Sequence, residues 1–488
     1  MFLPWHSLAR LVDYRFVVVG TGPAGLHLAQ LLAARGRVLV VEAGNTNDTN
    51  SSGDDMYRLD VTGGNYPELG TRLLAFGGTS NHWGGHSRPF AREVFADRPG
   101  IPGWPIGYDD YAAYLEGASK FLNVAPFDPP DGSLSIISGV FGSHEHLTAT
   151  PFLYSNPTVR LGDADFVSAM AGHPDIDVLT DTRLLDIDLS TDGARVEAIS
   201  LLHRPSRETA RVPARQLFLC AGAIENARIL LWSGRKYSRG NPLLGGPNEL
   251  TGTYFQEKPN FWPVELFVDG RADLSGTAID FAQPHLCWEL TEAFRLQHEL
   301  PRFGVFPGTG TALSPDDPLM EAVSKLYAHE AASYVRLDPT FQWEQTPSDA
   351  SFVKLSSDRD SDGVARAELH WEISAADRAA YRRATLLFCG ILSQNGMARG
   401  RFRPGFQGED WSDVYIEGCN HHIGTTRMGK SPLDGVVDGD CRVFGLDNLF
   451  VAGSSVFPSG DYVNPTLNLV ALAGRLADHV LRLDGEVS

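Results

Sequence analysis

An α/β fold is predicted, with a parallel sheet assembled from separated pieces of chain beside a second, α+β domain built on an antiparallel sheet with helices. Three observations predict it. A short apolar run, Arg15-Phe-Val-Val-Val-Gly20, leads through a glycine-rich turn into an Ala- and Leu-rich helical stretch. A similar run, Gln216-Leu-Phe-Leu-Cys-Ala-Gly222, recurs far downstream, and Asn448-Leu-Phe-Val-Ala-Gly453 forms a third near the end. Between about 240 and 410 the character changes to aromatic- and proline-rich segments with apolar/polar alternation. Continuous β-branched runs suit strands buried on both faces, whereas alternation suits a half-buried antiparallel sheet.

The first unit carries the most local information. After the strand comes Gly20-Thr-Gly22-Pro-Ala-Gly25, then Leu26 to Arg35 as a helix, then Arg37-Val-Leu-Val-Val-Glu42 as a second strand ending in an acid. This is the spacing of a βαβ dinucleotide fold. Gly20 permits the tight turn, Gly22 lets backbone approach a pyrophosphate, and Gly25 allows helix and strand to pack closely. Glu42 stands where a carboxylate accepts hydrogen bonds from the ribose of an adenosine. The unit alone leaves NAD and FAD open.

The recurring strands at 216–222 and 448–453, each followed by a helical stretch (224–232 and Pro465 to Leu481), imply that the nucleotide domain is discontinuous. The expected division is 1–100, 158–240 and 411–488 for that domain, with 101–157 and 241–410 for a substrate-binding domain. Residues 176–202 read as a hairpin about Asp192-Gly193, and Asp360-Ser-Asp-Gly363 as a second hairpin turn. Ser374-Ala-Ala-Asp377 reads as a helix start leading to Leu392. The polar stretch Asn45 to Asp55 reads as a surface loop.

The 488 residues suffice for two or three domains, and 43% hydrophobic with 21% charged residues is an ordinary globular balance. A net charge of −19 argues against nucleic acid and anionic membrane as partners, and leaves open a cationic substrate such as an aminosugar. No apolar run reaches the roughly 18 residues of a membrane span. Met1–Arg10 lacks the pattern of a signal peptide, so a cytoplasmic location is expected. The five cysteines (Cys220, Cys287, Cys389, Cys419, Cys441) are scattered with no C-x-x-C pair, which speaks for reduced thiols and no metal site.

Four separated blocks resemble the glucose–methanol–choline (GMC) family of FAD-dependent oxidoreductases, nearest to its pyranose- and other sugar-oxidising members. They are Gly20–Glu42, Phe76-Gly-Gly-Thr-Ser-Asn-His-Trp-Gly-Gly85, Cys220-Ala-Gly-Ala-Ile-Glu-Asn226, and Asn420 to the C-terminus. The resemblance implies a Rossmann-like FAD-binding domain and oxidation of an alcohol. The expected substrate is a ring hydroxyl of a sugar or glycoside, and oxygen or another acceptor reoxidises the flavin. It implies cofactor contacts from Gly20, Gly22, Ala24, Gly25 and Glu42; from Gly77, Gly78, Thr79, Asn81, His82, Trp83 and Gly84; and from Leu184, Ala221, Gly453, Asn464 and Thr466. Arg183-Leu184 corresponds to the place where the family reads adenine through backbone atoms. Asp438 and Arg442 precede the last strand.

Asn420-His421-His422-Ile-Gly424-Thr425 is similar to the family's H-x-x-G-T segment and puts His421 at the catalytic histidine. Asp461-Tyr-Val-Asn464-Pro-Thr is similar to its N-P-T segment, where an asparagine partners that histidine. Imidazole suits the base that takes a hydroxyl proton, and a neutral amide suits the group that orients the substrate oxygen. His422 is the adjacent competitor, and only one of the two is expected to face the flavin. His82 resembles the histidine bonded covalently to FAD in pyranose-oxidising members; the alternative is simple packing against it. Other readings are a lyase on the same fold with structural FAD, oxidation of a non-sugar alcohol, and a non-catalytic nucleotide-binding protein.

Overall fold

The computed structural model of the protein describes residues 1–10, 14–47, 53–64, 66–124, 145–269, 285–306, 308, 310–314, 316–327, 334–406, 408, 411 and 414–486. The strands Phe16–Val19 and Val38–Val41 flank the helix Pro23–Leu32, and every residue of both strands is buried. They form the centre of a five-stranded parallel sheet. Gln216–Leu219 pairs beside Phe16–Val19, Leu449–Val451 lies outside it, and Ile176–Leu179 pairs beside Val38–Val41. The sheet thus draws on widely separated stretches, as expected for a discontinuous dinucleotide-binding fold.

One expectation is corrected here. The stretch 176–202 is not a single hairpin, because Ile176–Leu179 is fully buried and belongs to the parallel sheet. Its lone charge, Asp177, is tolerated because Arg37 and the hydroxyl of Tyr14 meet the carboxylate. The hairpin comprises Thr182–Leu189 and Val196–His203, with Asp192-Gly193 at its tip, and Thr209–Pro213 adds a third strand. Of the expected loop Asn45–Asp55, residues 48–52 lie outside the described residues.

The second part is built on a seven-stranded sheet whose ladders are antiparallel, ordered Glu417–Gly418, Pro259–Phe261, Thr340–Trp343, Phe303–Phe306, His285–Leu290, Leu147–Tyr154 and His86–Ser87. Against it lies the helix Ala375–Gln394, started by the Ser374 hydroxyl accepting from the Asp377 N–H. Its Tyr381 stacks on Trp343, which stacks in turn on Phe303, both at 4.5 Å between ring centroids. The hairpin Phe352–Arg359/Ala365–Trp371 turns at 360–363 as expected. It also takes Leu59–Gly63 as a parallel partner. That strand and His86–Ser87 both lie within 1–100, so the expected division of the chain cuts across these pairings. Among the described residues no helix is long and apolar enough to cross a membrane.

A buried ion network ties the C-terminal loop to the second sheet. The guanidinium of Arg302 meets Asp461 at 2.7 Å, Glu289 at 3.4 Å, and Glu93. Burial alone pushes the Asp461 carboxyl up, but Arg302 outweighs it, with Arg88 and Lys258, and brings it down to about 2 from an ordinary 3.8. Removing the cation from such a network leaves buried carboxylates uncompensated. Arg302→Met is therefore expected to cost about 3–5 kcal/mol, read by chemical denaturation. A depressed carboxylate contributes stability above its unfolded value and loses it as pH falls towards its folded value. The Asp461 contribution is accordingly present above about pH 4 and lost towards pH 2, and the difference between wild type and variant should shrink over that window.

Candidate active site

The site is built from three glycine-containing turns that follow strands of the parallel sheet. Gly20 takes φ +104°, and a Cβ there would lie 2.6 Å from the carbonyl oxygen of Cys220. A Cβ on Gly25 would overlap the carbonyl oxygen of Gly20 and sit 3.1 Å from the Cys220 side chain. Gly22 differs: a Cβ there would meet nothing within 4 Å, so it opens on a cavity that it lines. As the N-cap of the helix Pro23–Leu32, Gly22 offers no side-chain cap, and the first N–H groups of the helix remain available.

Two further helices begin on the same cavity. Ala221 and Gly222 start the helix Gly222–Gly234, and Asn464, Pro465 and Thr466 lead into Thr466–Glu486. Gly222 and Gly453 likewise face open space. Three helix N-termini on one cavity bring partial positive charge and unpaired donors to it, as a bound pyrophosphate requires. The residues present therefore fit a dinucleotide such as FAD.

Glu42 lines the cavity at the end of its strand, but its carboxylate already accepts from the N–H and hydroxyl of Thr21 (3.0 and 2.6 Å) and from the Gly44 N–H (2.8 Å). Burial pushes its pKa up against those bonds. The same Thr21 hydroxyl accepts from the Gly77 N–H at 2.9 Å, which joins the first glycine loop to the second. There Gly78 comes so near Gly22 that a Cβ would lie 3.4 Å from its Cα.

Of the residues singled out from the sequence, Gly20, Gly22, Ala24, Glu42, Gly78, Thr79, His82, Trp83, Gly84, Leu184, Ala221, His421, Gly453, Asn464 and Thr466 line this one cavity. Gly25, Gly77 and Asn81 are not on its wall. Gly25 is enclosed between helix and strand, and Gly77 is closed in by Gly162. Asn81 spends its amide on Phe76 O and Gly162 N, bracing the loop from behind. Asp438 and Arg442 pair with each other away from the cavity. Arg183 is committed to Asp360 and Asp362, at 2.7 and 2.9 Å.

At the other end stand His421 and His422. Both line the cavity. The two rings are in different states. The His422 Nε2 lies 2.6 Å from the Tyr66 hydroxyl and 3.3 Å from Glu257. Burial, with Arg72 nearby, lowers its pKa to about 3. Among the described residues the His421 ring has no hydrogen-bond partner, and its Nδ1 is buried. Burial, then Lys258, His422 and His86, hold its pKa well below the ordinary 6.5, so the ring is neutral. Asn464 Oδ1 accepts weakly from Gln342 and its amide donates to His86 O, both at 3.4 Å.

Sequence reasoning missed several residues of this wall. Tyr57, Arg72, Glu225 and Trp232 line the cavity. Arg72 donates to Glu225 and to Tyr57 O, both at 2.6 Å, and keeps its Nε buried without a partner. None belongs to a local pattern; only Glu225 lay inside a quoted block, Cys220–Asn226. Cys419, next to the histidine pair, also lines the cavity.

Comparison with known proteins fits this geometry. The 5-(hydroxymethyl)furfural oxidase of Methylovorus sp. (strain MP688) is 25% identical over 96% of this chain and 98% of its own length. The paromamine 6'-oxidase of Streptomyces fradiae is 25% identical over 95% of this chain and 90% of its own. The formate oxidase of Aspergillus oryzae RIB40, solved in work on its FAD modification, shares the fold with a TM-score of 0.65 and 15% identity, over 97% of this chain and 99% of its own. Residues 347–473 match the family described as GMC oxidoreductase. That stretch holds both the histidine pair and Asn464, and it is a GMC oxidoreductase C-terminal domain.

Proposed function

We propose that the protein is an FAD-dependent oxidoreductase that oxidises an alcohol, a ring hydroxyl of a sugar or glycoside, with His421 as the base and Asn464 as the orienting group. The observation that carries this reading is the state of His421: a neutral ring with no hydrogen bond of its own, on the same cavity wall as Asn464. FAD, when bound, supplies the acceptor for the two electrons that leave the carbinol carbon as hydride. Nε2 of His421 takes the hydroxyl proton. A base must start unprotonated, and burial ensures that at neutral pH. The same burial makes it a weak base, so the proton moves as negative charge develops on the substrate oxygen beside it. The Asn464 amide donates to that oxygen and fixes its approach. Its own contacts, at 3.4 Å, are long enough to exchange for a substrate.

The sugar assignment draws on the relatives' names, among them a paromamine 6'-oxidase and a C-glycoside 3-oxidase. The chain's charge of −19 is compatible with a cationic aminosugar. In the same reading His82, on the cavity wall, is the residue for a covalent flavin link. Two measurements test these points. Anaerobic titration with sugars, glycosides and simple alcohols should bleach the flavin with a ring-hydroxyl substrate. Bleaching by simple alcohols alone would replace the sugar assignment, and no bleaching by any of them would end the oxidoreductase reading. Acid precipitation should leave yellow colour in the pellet if His82 carries the flavin, and release it to the supernatant otherwise.

A further inference from the structure

The reacting end is held by a carboxylate that no sequence motif announced. Glu257 stands just before the strand Pro259–Phe261, with 1% of its surface exposed. Its Oε2 accepts from the backbone N–H of His421 at 2.9 Å and of Lys258 at 3.2 Å. Its Oε1 accepts from the Tyr66 hydroxyl at 2.7 Å and faces His422 Nε2 at 3.3 Å. Three hydrogen bonds thus converge on the two oxygens, with the His422 ring nitrogen close by as a fourth neighbour.

The protons of this cluster can be counted. Tyr66 has one hydroxyl hydrogen and two close neighbours, Glu257 at 2.7 Å and His422 Nε2 at 2.6 Å. If the hydrogen goes to the carboxylate, His422 Nε2 must carry its own, or two lone pairs would face each other. His422 is then the Nε2–H tautomer, with Nδ1 bare. We infer that Glu257 is the positioning residue of the reacting end: its carboxylate pins the His421 main chain and, through Tyr66, fixes His422 as the Nε2–H tautomer. The kinetic part of this inference rests on the function proposed above. The tautomer part does not.

Glu257→Gln keeps the shape and changes the count. The amide oxygen can still accept from His421 and Lys258, but the NH₂ now donates to the Tyr66 oxygen. The tyrosine hydrogen must turn to His422 Nε2, and His422 must move its own hydrogen to Nδ1. The experiment is ¹⁵N–¹H correlation of the imidazoles in histidine-labelled holoenzyme, with His422 assigned by its loss in His422→Gln. The wild type should show His422 as Nε2–H and Glu257→Gln as Nδ1–H, and flavin reduction in the variant should slow by ~10²-fold, as for a small misplacement of a reacting group. Nδ1–H in the wild type, or no change in the variant, overturns the inference. So does a flipped tautomer with an unchanged reduction rate. If Glu257→Gln does not fold, Tyr66→Phe decides: removal of the bridging hydroxyl should leave His422 a mixture of tautomers, and a single unchanged Nε2–H form overturns the inference. The tautomers are read without turnover. A protein whose flavin no alcohol bleaches would lose the proposed function without touching this result.

Discussion

Replacing His421 with alanine is expected to slow anaerobic flavin reduction by ~10²–10⁴-fold, the range of a lost general base, while FAD stays bound. The geometry says why the effect should be confined to chemistry. The His421 ring has no hydrogen-bond partner among the described residues, so its removal breaks no hydrogen bond of the structure. Its main chain stays attached to Glu257, and the glycine loops on the cavity wall belong to other parts of the chain. The adjacent His422→Ala should behave differently, because it leaves Tyr66 and Glu257 buried with a missing partner and should lower stability as well as rate. Rapid-mixing measurement of flavin bleaching beside the bound-flavin absorbance separates the two outcomes. Near-wild-type bleaching in His421→Ala would remove it as the base.

A second pair of substitutions should separate the two uses of glycine in the first loop. Gly22→Val puts its Cβ where no protein atom lies within 4 Å, and Gly22 has φ −65° and ψ 177°, a backbone conformation open to any residue. The apoprotein should therefore fold with wild-type stability. The side chain fills the space a pyrophosphate needs, and FAD affinity should fall by ~10²-fold or more, equivalent to about 3 kcal/mol. Gly25→Ala adds one carbon where the Gly20 carbonyl already lies, which forces the helix off the sheet. Its cost should appear in the apoprotein as about 1–3 kcal/mol in a denaturant titration, before any cofactor is added. Equal apoprotein stability of the two variants would contradict this division of roles.

The tertiary structure also changed the standing of residues that the motifs had grouped together. Asn81 and His82 are neighbours in one loop, yet Asn81 braces it from behind while His82 lies on the cavity wall. His421 and His422 are neighbours too, and both reach the cavity, but a tyrosine and a carboxylate engage only the second ring.

By itself the sequence determined the βαβ unit, the positions of the glycine loops, and the recurrence of apolar runs at 216–222 and 448–453. Each is a local pattern whose cause lies within a few residues: a turn that needs glycine, a strand buried on both faces, a helix start. What only the tertiary structure decided are the groups brought together across long sequence separations. Tyr66, Glu257 and His422 meet although the outer two are 356 residues apart, and Arg72 meets Glu225 across 153. The strand 176–179 was misplaced for the same reason, since its pairing with Val38–Val41 is set by which face the fold covers. Burial and hydrogen-bond partners fix which histidine is free and which is held, and neither quantity is carried by the spacing of residues along the chain.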